Sequence, residues 1–194
     1  MRTSPTDGDA VAVILAAGAG TRFSAGRPGE KLMVDLRGRP VVVHAVENAL
    51  AAGLAGTWVV TGSVDLAPVL PQGVRMLPNP DWEQGQATSL QRAVSEAGRA
   101  GVAAIVVGLG DQPLIAASAW RAVADADGEI VVATYDGRRR NPVKLSSAIW
   151  PLLPTRGDEG ARQLMRDRPD LVREVPCQGD PADIDTREDL ERWS

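Results

Sequence analysis

One cysteine, one histidine, one tyrosine and one phenylalanine occur among the 194 residues, and lysine appears only at Lys31 and Lys144, against nineteen arginines. A lone Cys177 excludes an intrachain disulfide and any cysteine-cluster metal site. With His44 the sole imidazole, histidine-rich metal centres and serine–histidine chemistry lose their usual donors. A basic surplus is missing too. Lys and Arg number 21 against 25 Asp and Glu, so the net charge of −4 offers no footprint for nucleic acid. The longest apolar run, Val102 to Leu109, falls far short of the roughly 20 residues that a membrane span needs. Residues 1–10 carry one Arg and no apolar stretch, so they read as a tail and not as a signal peptide. What is present, 44% hydrophobic and 24% charged residues, suits one compact domain over residues 11–194. The expectation is a cytosolic enzyme whose chemistry rests on carboxylates, Arg, Lys and backbone amides.

Short apolar runs between turn signals predict strands at Val11–Leu15, Thr57–Thr61, Val74–Leu77, Val102–Leu109 and Glu129–Tyr135. Helical periodicity lies between them. One stretch runs from Arg39-Pro40 to about Ala52, with Val43, Ala45, Val46, Ala49 and Leu50 on one stripe and Gly53 as its stop. Others cover Ala87–Ala97, Ala116–Asp125, Glu159–Arg168 and Thr186–Trp193, the last opening on a Thr186/Asp189 pair with capping-box spacing. Asp136-Gly137 followed by Arg138–Arg140 predicts a tight hairpin with a charged tip. His44, beside the first helical stripe, reads as a packing residue, and the five tryptophans read as core or rim. Strands alternating with helices imply an α/β fold with a mostly parallel sheet, whose ligands sit beyond the carboxyl ends of the strands.

The first such end is the loop LAAGAGTRF, Leu15 to Phe23. Its small residues let backbone approach a ligand closely, and unpaired N–H groups there can cradle an anion. Arg22, Arg27 and Lys31 add three cations on one stretch. No GxxxxGK[ST] is present, and Gly18-x-Gly20 is followed by Phe23 where a dinucleotide fingerprint needs glycine. A dehydrogenase is therefore a weak reading. Asp111, in GDQP at the end of the most apolar run, belongs at an exposed strand end, because an ionised carboxylate is costly in a core. Beside a triphosphate it is a natural Mg²⁺ ligand. In extended backbone Asp183 and Asp185 share one face while Ile184 takes the other; helix entry is the rival role for this segment.

The pattern LAAGxGxR followed by Lys resembles the signature of the MobA-like NTP transferases, the molybdenum cofactor cytidylyltransferase and guanylyltransferase group. So do EKLMVDLRGRPVVVHAV (Glu30–Val46), VVTG (Val59–Gly62), NPDWEQGQATSL (Asn79–Leu90), GLGDQP (Gly108–Pro113), RNPVKL (Arg140–Leu145), GDEGAR (Gly157–Arg162) and DIDTREDL (Asp183–Leu190). The resemblance implies a three-layer, Rossmann-like (glycosyltransferase-A-like) fold with a mostly parallel central sheet. It implies a nucleotide site drawn from Leu15, Ala16, Ala17, Gly18, Gly20, Arg22, Lys31, Thr61, Asn79, Ser89 and Asp111. Arg22, Lys31 and Asp111 would be the catalytic groups, Asp111 and Asp185 the Mg²⁺ ligands, and Asn141, Asp158, Arg162 and Asp183 the acceptor side. The implied reaction moves CMP or GMP from the triphosphate to a phosphorylated small molecule and releases pyrophosphate. Molybdopterin cofactor is the expected acceptor, CTP is favoured over GTP by LAAG, and a molybdoenzyme is a possible receiver of the product. A phosphate nucleophile is already ionised, so the scarcity of histidine is no objection. The spacer FSAGRPGE is longer than is usual in the family and leaves open which of Arg22, Arg27 and Lys31 reaches the phosphates. Other acceptors (methylerythritol phosphate, phospholactate) and a non-catalytic nucleotide-binding or cofactor-insertion protein remain as alternatives.

Overall fold

The computed structural model describes residues 9–20 and 30–193. In chain order the strands are β1 (Ala10–Ala16), β2 (Asp35–Leu36), β3 (Arg39–Pro40), β4 (Thr57–Thr61), β5 (Val74–Pro78), β6 (Ala104–Leu109), β7 (Ile130–Tyr135), β8 (Arg138–Ser146) and β9 (Val172–Pro176). The helices are α1 (Glu30–Met33), α2 (Val41–Ala51), α3 (Gln86–Ala100), α4 (Ala117–Asp125), α5 (Arg162–Asp167) and α6 (Arg187–Trp193). Seven strands form one sheet in the order β5-β4-β1-β6-β8-β7-β9; β2 and β3 pair separately. All neighbours are parallel except β8, which runs antiparallel to both β6 and β7.

β1 shows why the sheet lies between two helical layers. Val11, Val13 and Leu15 face an apolar cluster built with Leu90 and Ala93 of α3 and Leu164 of α5. Ala12, Ile14 and Ala16 face the opposite cluster, with Val42 and Val46 of α2 and Trp120 of α4. A strand buried on both sides has no polar face to show, which is why it reads as a continuous apolar run. The three-layer α/β reading of the sequence holds.

Several boundaries differ. Ala10, assigned to the tail by the sequence, opens β1 and pairs with Ala104. The Val102 run becomes a strand only at Ala104, because α3 ends in a left-handed Gly101 turn. The predicted Glu159–Arg168 helix starts at Arg162. β8 and β9 were not expected as strands. β8 reads RRRNPVKLS, and only its second half is apolar, where Val143 and Leu145 complete the core. The hairpin into it has positive φ at both Asp136 and Gly137, as a two-residue type I′ turn requires. A register shift on β7 between Val132 and Ala133 places Asn141 and Pro142 in a bulge of β8. His44 packs as expected, its Nε2 2.7 Å from the Leu36 carbonyl.

Candidate active site

The loop after β1 lies above the sheet with its carbonyls turned aside: Ser63 donates its N–H to Ala17 O (3.0 Å) and its hydroxyl to Gly18 O (2.9 Å). Among the described residues the N–H groups of Gly18, Ala19 and Gly20 have no backbone acceptor. Gly20 takes φ +61°, a conformation that favours glycine, and a Cβ there would stand 3.0 Å from Cβ of Lys31, so a side chain would crowd α1. Arg22 and Arg27 lie outside the described residues.

Lys31 is 94% buried and is held between two carboxylates. Its Nζ donates to Asp111 Oδ2 at 2.6 Å and to Asp185 Oδ1. Burial by itself lowers the pKa of the ammonium, but Asp111 and Asp185 outweigh it and the net shift is upward. Asp111 is clamped from both sides. The preceding Gly110 donates to Leu15 O (3.0 Å), and Asp111 O accepts the Ile184 N–H (2.9 Å). Ile184 is fully buried against Leu36 and Val41, so this apolar anchor turns Asp183 and Asp185 to the other side, where both line the cleft. The alternation expected of this segment is present. Helix entry falls instead to Thr186 and Asp189, whose side chains each accept the other's backbone N–H.

The cleft is a cavity of about 530 Å³ running from Leu15–Gly20 past Lys31 and Asp111 to Ser89, Asp158 and Arg162. Asp158 and Arg162 reach it because their loop is stapled to the entry of α3. Ala87 donates to Gly157 O at 2.9 Å, and a Cβ on Gly85 would stand 2.6 Å from that same oxygen. A second cavity of about 470 Å³ adjoins the first and shares Arg162 and Asp183 with it; Asn141 lines this one.

Thr61 and Asn79 line neither cavity. Asn79 is buried behind the wall, where its Nδ2 donates to Thr88 Oγ1 and Ser89 Oγ, both at 3.0 Å, and its N–H to Thr61 O at 2.8 Å. These two residues brace α3 to the ends of β4 and β5. Ser89 lies one turn inside α3, at the cavity wall. Trp82 and Gln86, which line the first cavity, belong to the NPDWEQGQATSL segment that carries the resemblance; Gln112 in the second was missed, and its place directly after Asp111 was the one available signal.

Charge is unevenly matched here. Three carboxylates (Asp111, Asp183, Asp185) meet one ammonium, and Oδ1 of both Asp111 and Asp183 is buried without a hydrogen-bond partner among the described residues. Burial raises the Asp183 pKa, and Asp111 and Asp185 raise it further, while the Gln112 amide and Lys31 pull the other way. Unpaired hard oxygen donors on carboxylates that line a cleft fit a divalent cation such as Mg²⁺ or Mn²⁺. A polyanion entering a cleft with surplus negative charge also needs such a counter-ion.

Nicotine blue oxidoreductase of Paenarthrobacter nicotinovorans is 32% identical over 196 residues, covering 93% of this chain and 94% of its own. The crystal structure of Rv0371c from Mycobacterium tuberculosis H37Rv superposes with a TM-score of 0.81 at 27% identity, covering 96% of this chain and 98% of that one. The same protein has been solved with manganese (TM-score 0.77, 27% identity, 97% and 98% coverage). The synthetase that makes CMP-2-keto-3-deoxy-manno-octonic acid, solved with CTP, shares the fold at a TM-score of 0.70 and 18% identity, over 95% and 96% of the two chains. No helix among the described residues is long and apolar enough to cross a membrane. The model of the MobA-like NTP transferase domain matches residues 12–173, and the chain belongs to that family of nucleotidyltransferases.

Proposed function

We propose that this chain transfers CMP, or with lower preference GMP, from the nucleoside triphosphate to a phosphorylated small molecule, with molybdopterin cofactor the foremost acceptor and Mg²⁺ the working ion. The observation that carries the reading is the convergence of Lys31, Asp111 and Asp185, three residues far apart in sequence, at the foot of a loop whose Gly18, Ala19 and Gly20 N–H groups have no backbone acceptor among the described residues. Manganese in Rv0371c and CTP in the synthetase complex support the metal and nucleotide classes by analogy.

Asp111 and Asp185 would hold the ion, which when bound neutralises triphosphate oxygens and orients them. The N–H groups of Gly18, Ala19 and Gly20 donate to the phosphates, and Lys31 supplies fixed positive charge where the leaving pyrophosphate gains it. The ionised acceptor phosphate attacks the α-phosphorus, a new P–O bond forms, and the bond to the β-phosphate breaks. Arg162, at the junction of the two cavities, is placed to draw the acceptor phosphate in. No proton need be removed, which suits a cleft lined by no histidine.

The test is release of pyrophosphate from CTP or GTP by the purified chain, with and without divalent ion and acceptor. Turnover that needs nucleotide, ion and a phosphorylated acceptor supports the reading; tight nucleotide binding without turnover for any acceptor overturns it in favour of a binding protein. A second reading rests on one observation: the relative that matches almost end to end bears the name of an oxidoreductase. Consumption of a nicotinamide reductant with a dye as oxidant, in place of pyrophosphate release, would decide for it.

A further inference from the structure

Lysine is scarce in this chain, and one of its two copies stands where another cation is needed. Lys31 Nζ donates to Asp111 Oδ2 at 2.6 Å and to Asp185 Oδ1, and these are the two carboxylates that would hold the divalent ion. Their placing does not depend on Lys31. Asp111 O accepts the Ile184 N–H at 2.9 Å, Ile184 is fully buried, and the Asp185 N–H is held by Asp189 Oδ2 at 3.1 Å. The backbone would therefore keep Asp111 and Asp185 side by side without their ammonium. Lys31 itself is built to turn. Its Cβ, Cγ and Cδ run along Gly20, lying 3.0, 3.8 and 3.5 Å from where a Gly20 Cβ would stand, and it lines the same cavity as Gly18, Ala19 and Gly20. A guanidinium in its place would grip the carboxylates with a planar fork; an ammonium on a flexible stem can exchange one partner for another.

We infer that Lys31 is an exchangeable counter-ion: it competes with the divalent ion for Asp111 and Asp185, and gives them up when a polyphosphate is there to receive its charge. The inference rests on the transferase reading for the polyphosphate in this cleft, and it deepens that reading by coupling the binding of ion and nucleotide. Displaced by an ion alone, Lys31 would lose two charge-assisted hydrogen bonds and be left unpaired in a buried place, which is costly. With a triphosphate beside Gly20 the cost disappears. Turning the last bonds of the stem moves Nζ from the carboxylates to the phosphates, and its charge is kept throughout. Ion and nucleotide then strengthen each other's binding beyond their own attraction in solution, and by linkage the effect is reciprocal.

Mn²⁺ is the first probe, followed by the electron paramagnetic resonance of the free ion, on the full chain without nucleotide. Lys31→Met, which keeps the stem and removes the charge, is expected to bind Mn²⁺ roughly tenfold or more tighter than the parent. Lys31→Arg should bind it as weakly as the parent does, and adding Asp185→Asn to Lys31→Met should remove the gain. Thermal unfolding gives a second reading: Lys31→Met should melt lower in chelator and recover with Mn²⁺, while the parent changes little. A third needs no change at Lys31. Lys144 is the only other lysine, so isotope-labelled lysine gives two ε-carbon resonances, and Lys144→Arg identifies the one that belongs to Lys31. That resonance should stay in place with Mg²⁺ alone and move when Mg²⁺ and CTP are added together. Equal Mn²⁺ affinity in the parent and Lys31→Met, an equal gain in Lys31→Arg, or a Lys31 resonance that moves with Mg²⁺ alone would overturn the inference. Coupled binding without pyrophosphate release for any acceptor would leave it standing and remove the transferase reading; pyrophosphate release by a parent that takes Mn²⁺ as readily as Lys31→Met would do the reverse.

Discussion

Among the described residues, two clusters of charge centre on a buried ionic side chain, Glu96 in one and Lys31 in the other, and they are built on opposite plans. On α3, the carboxylate of Glu96 is enclosed by three guanidiniums: Arg75, itself 5.5 Å above the Trp58 ring, Arg92 at 3.3 Å and Arg99 at 3.5 Å. Both oxygens are taken. In the cleft, Asp111 and Asp185 share the Lys31 ammonium, Asp183 lines the same cleft without an ion pair among the described residues, and two buried oxygens have no partner among those residues. A closed cluster costs little to keep and has nothing left to offer a ligand. An open one is retained against its electrostatic cost, which is the mark of a binding or catalytic site.

The sharpest way to break that contrast is to neutralise one member of the open cluster. Asp111→Ala is expected to lower the rate of pyrophosphate release by roughly a thousandfold or more, the scale of losing a principal electrostatic contact in a phosphoryl-transfer site. The far-ultraviolet circular dichroism should be unchanged, since Gly110 N and Asp111 O keep their backbone bonds. A near-normal rate would remove Asp111 from the chemistry. Lys31→Ala should fall next, by about a hundredfold, with the loss expressed more in the KM for nucleotide than in that for acceptor. If the rate holds, the phosphate-binding role passes to Arg22 or Arg27.

In the closed cluster the same operation should touch only stability. Glu96→Gln keeps the shape and removes the charge that three arginines surround. Those arginines are partly in solvent, so they are not stranded, and the cost should be about 1–2 kcal/mol. For a chain of this length that lowers the thermal midpoint by roughly 2–8 °C. Nucleotide KM and turnover should not move. A Glu96 variant that loses activity while keeping its midpoint would show that the two clusters are not separable.

How much of this was visible in the sequence follows from how local each feature is. β1 and β6 announce themselves because burial on two faces leaves no polar position in the strand. The hairpin turn at Asp136-Gly137 and the Thr186/Asp189 cap depend on residues at most three apart, and both could be read directly. β8 could not: Arg138–Asn141 is polar because it edges a cavity, and the segment becomes a strand only by lying between β6 and β7. Asp111 stood out as an acidic residue at a strand end, and Asp185 by its alternation with Asp183 around Ile184. Their joint grip on Lys31 joins positions 80 and 154 residues apart, a pairing no spacing encodes. The bracing role of Asn79 was hidden for a related reason, since a polar residue after a strand looks the same whether it meets a ligand or braces the helix behind it.

The finest test of the contrast is Asp183→Asn. Its folded-state pKa is raised, mainly by burial and then by Asp111 and Asp185, so the folded protein holds that proton more tightly than the unfolded chain does. The sign follows by linkage. Ionised Asp183 opposes folding at every pH above its folded pKa, and the penalty fades as the pH falls through that value toward the ordinary carboxylate range near 3.8. The amide carries no charge to penalise. At pH 7 the variant should therefore unfold at a slightly higher temperature than the parent, by an amount of order a few degrees, while turning over more slowly. The two melting curves should converge as the pH is lowered toward 4. A loss of stability at neutral pH would mean that Asp183 is satisfied in the fold, and would move it from the open plan to the closed one.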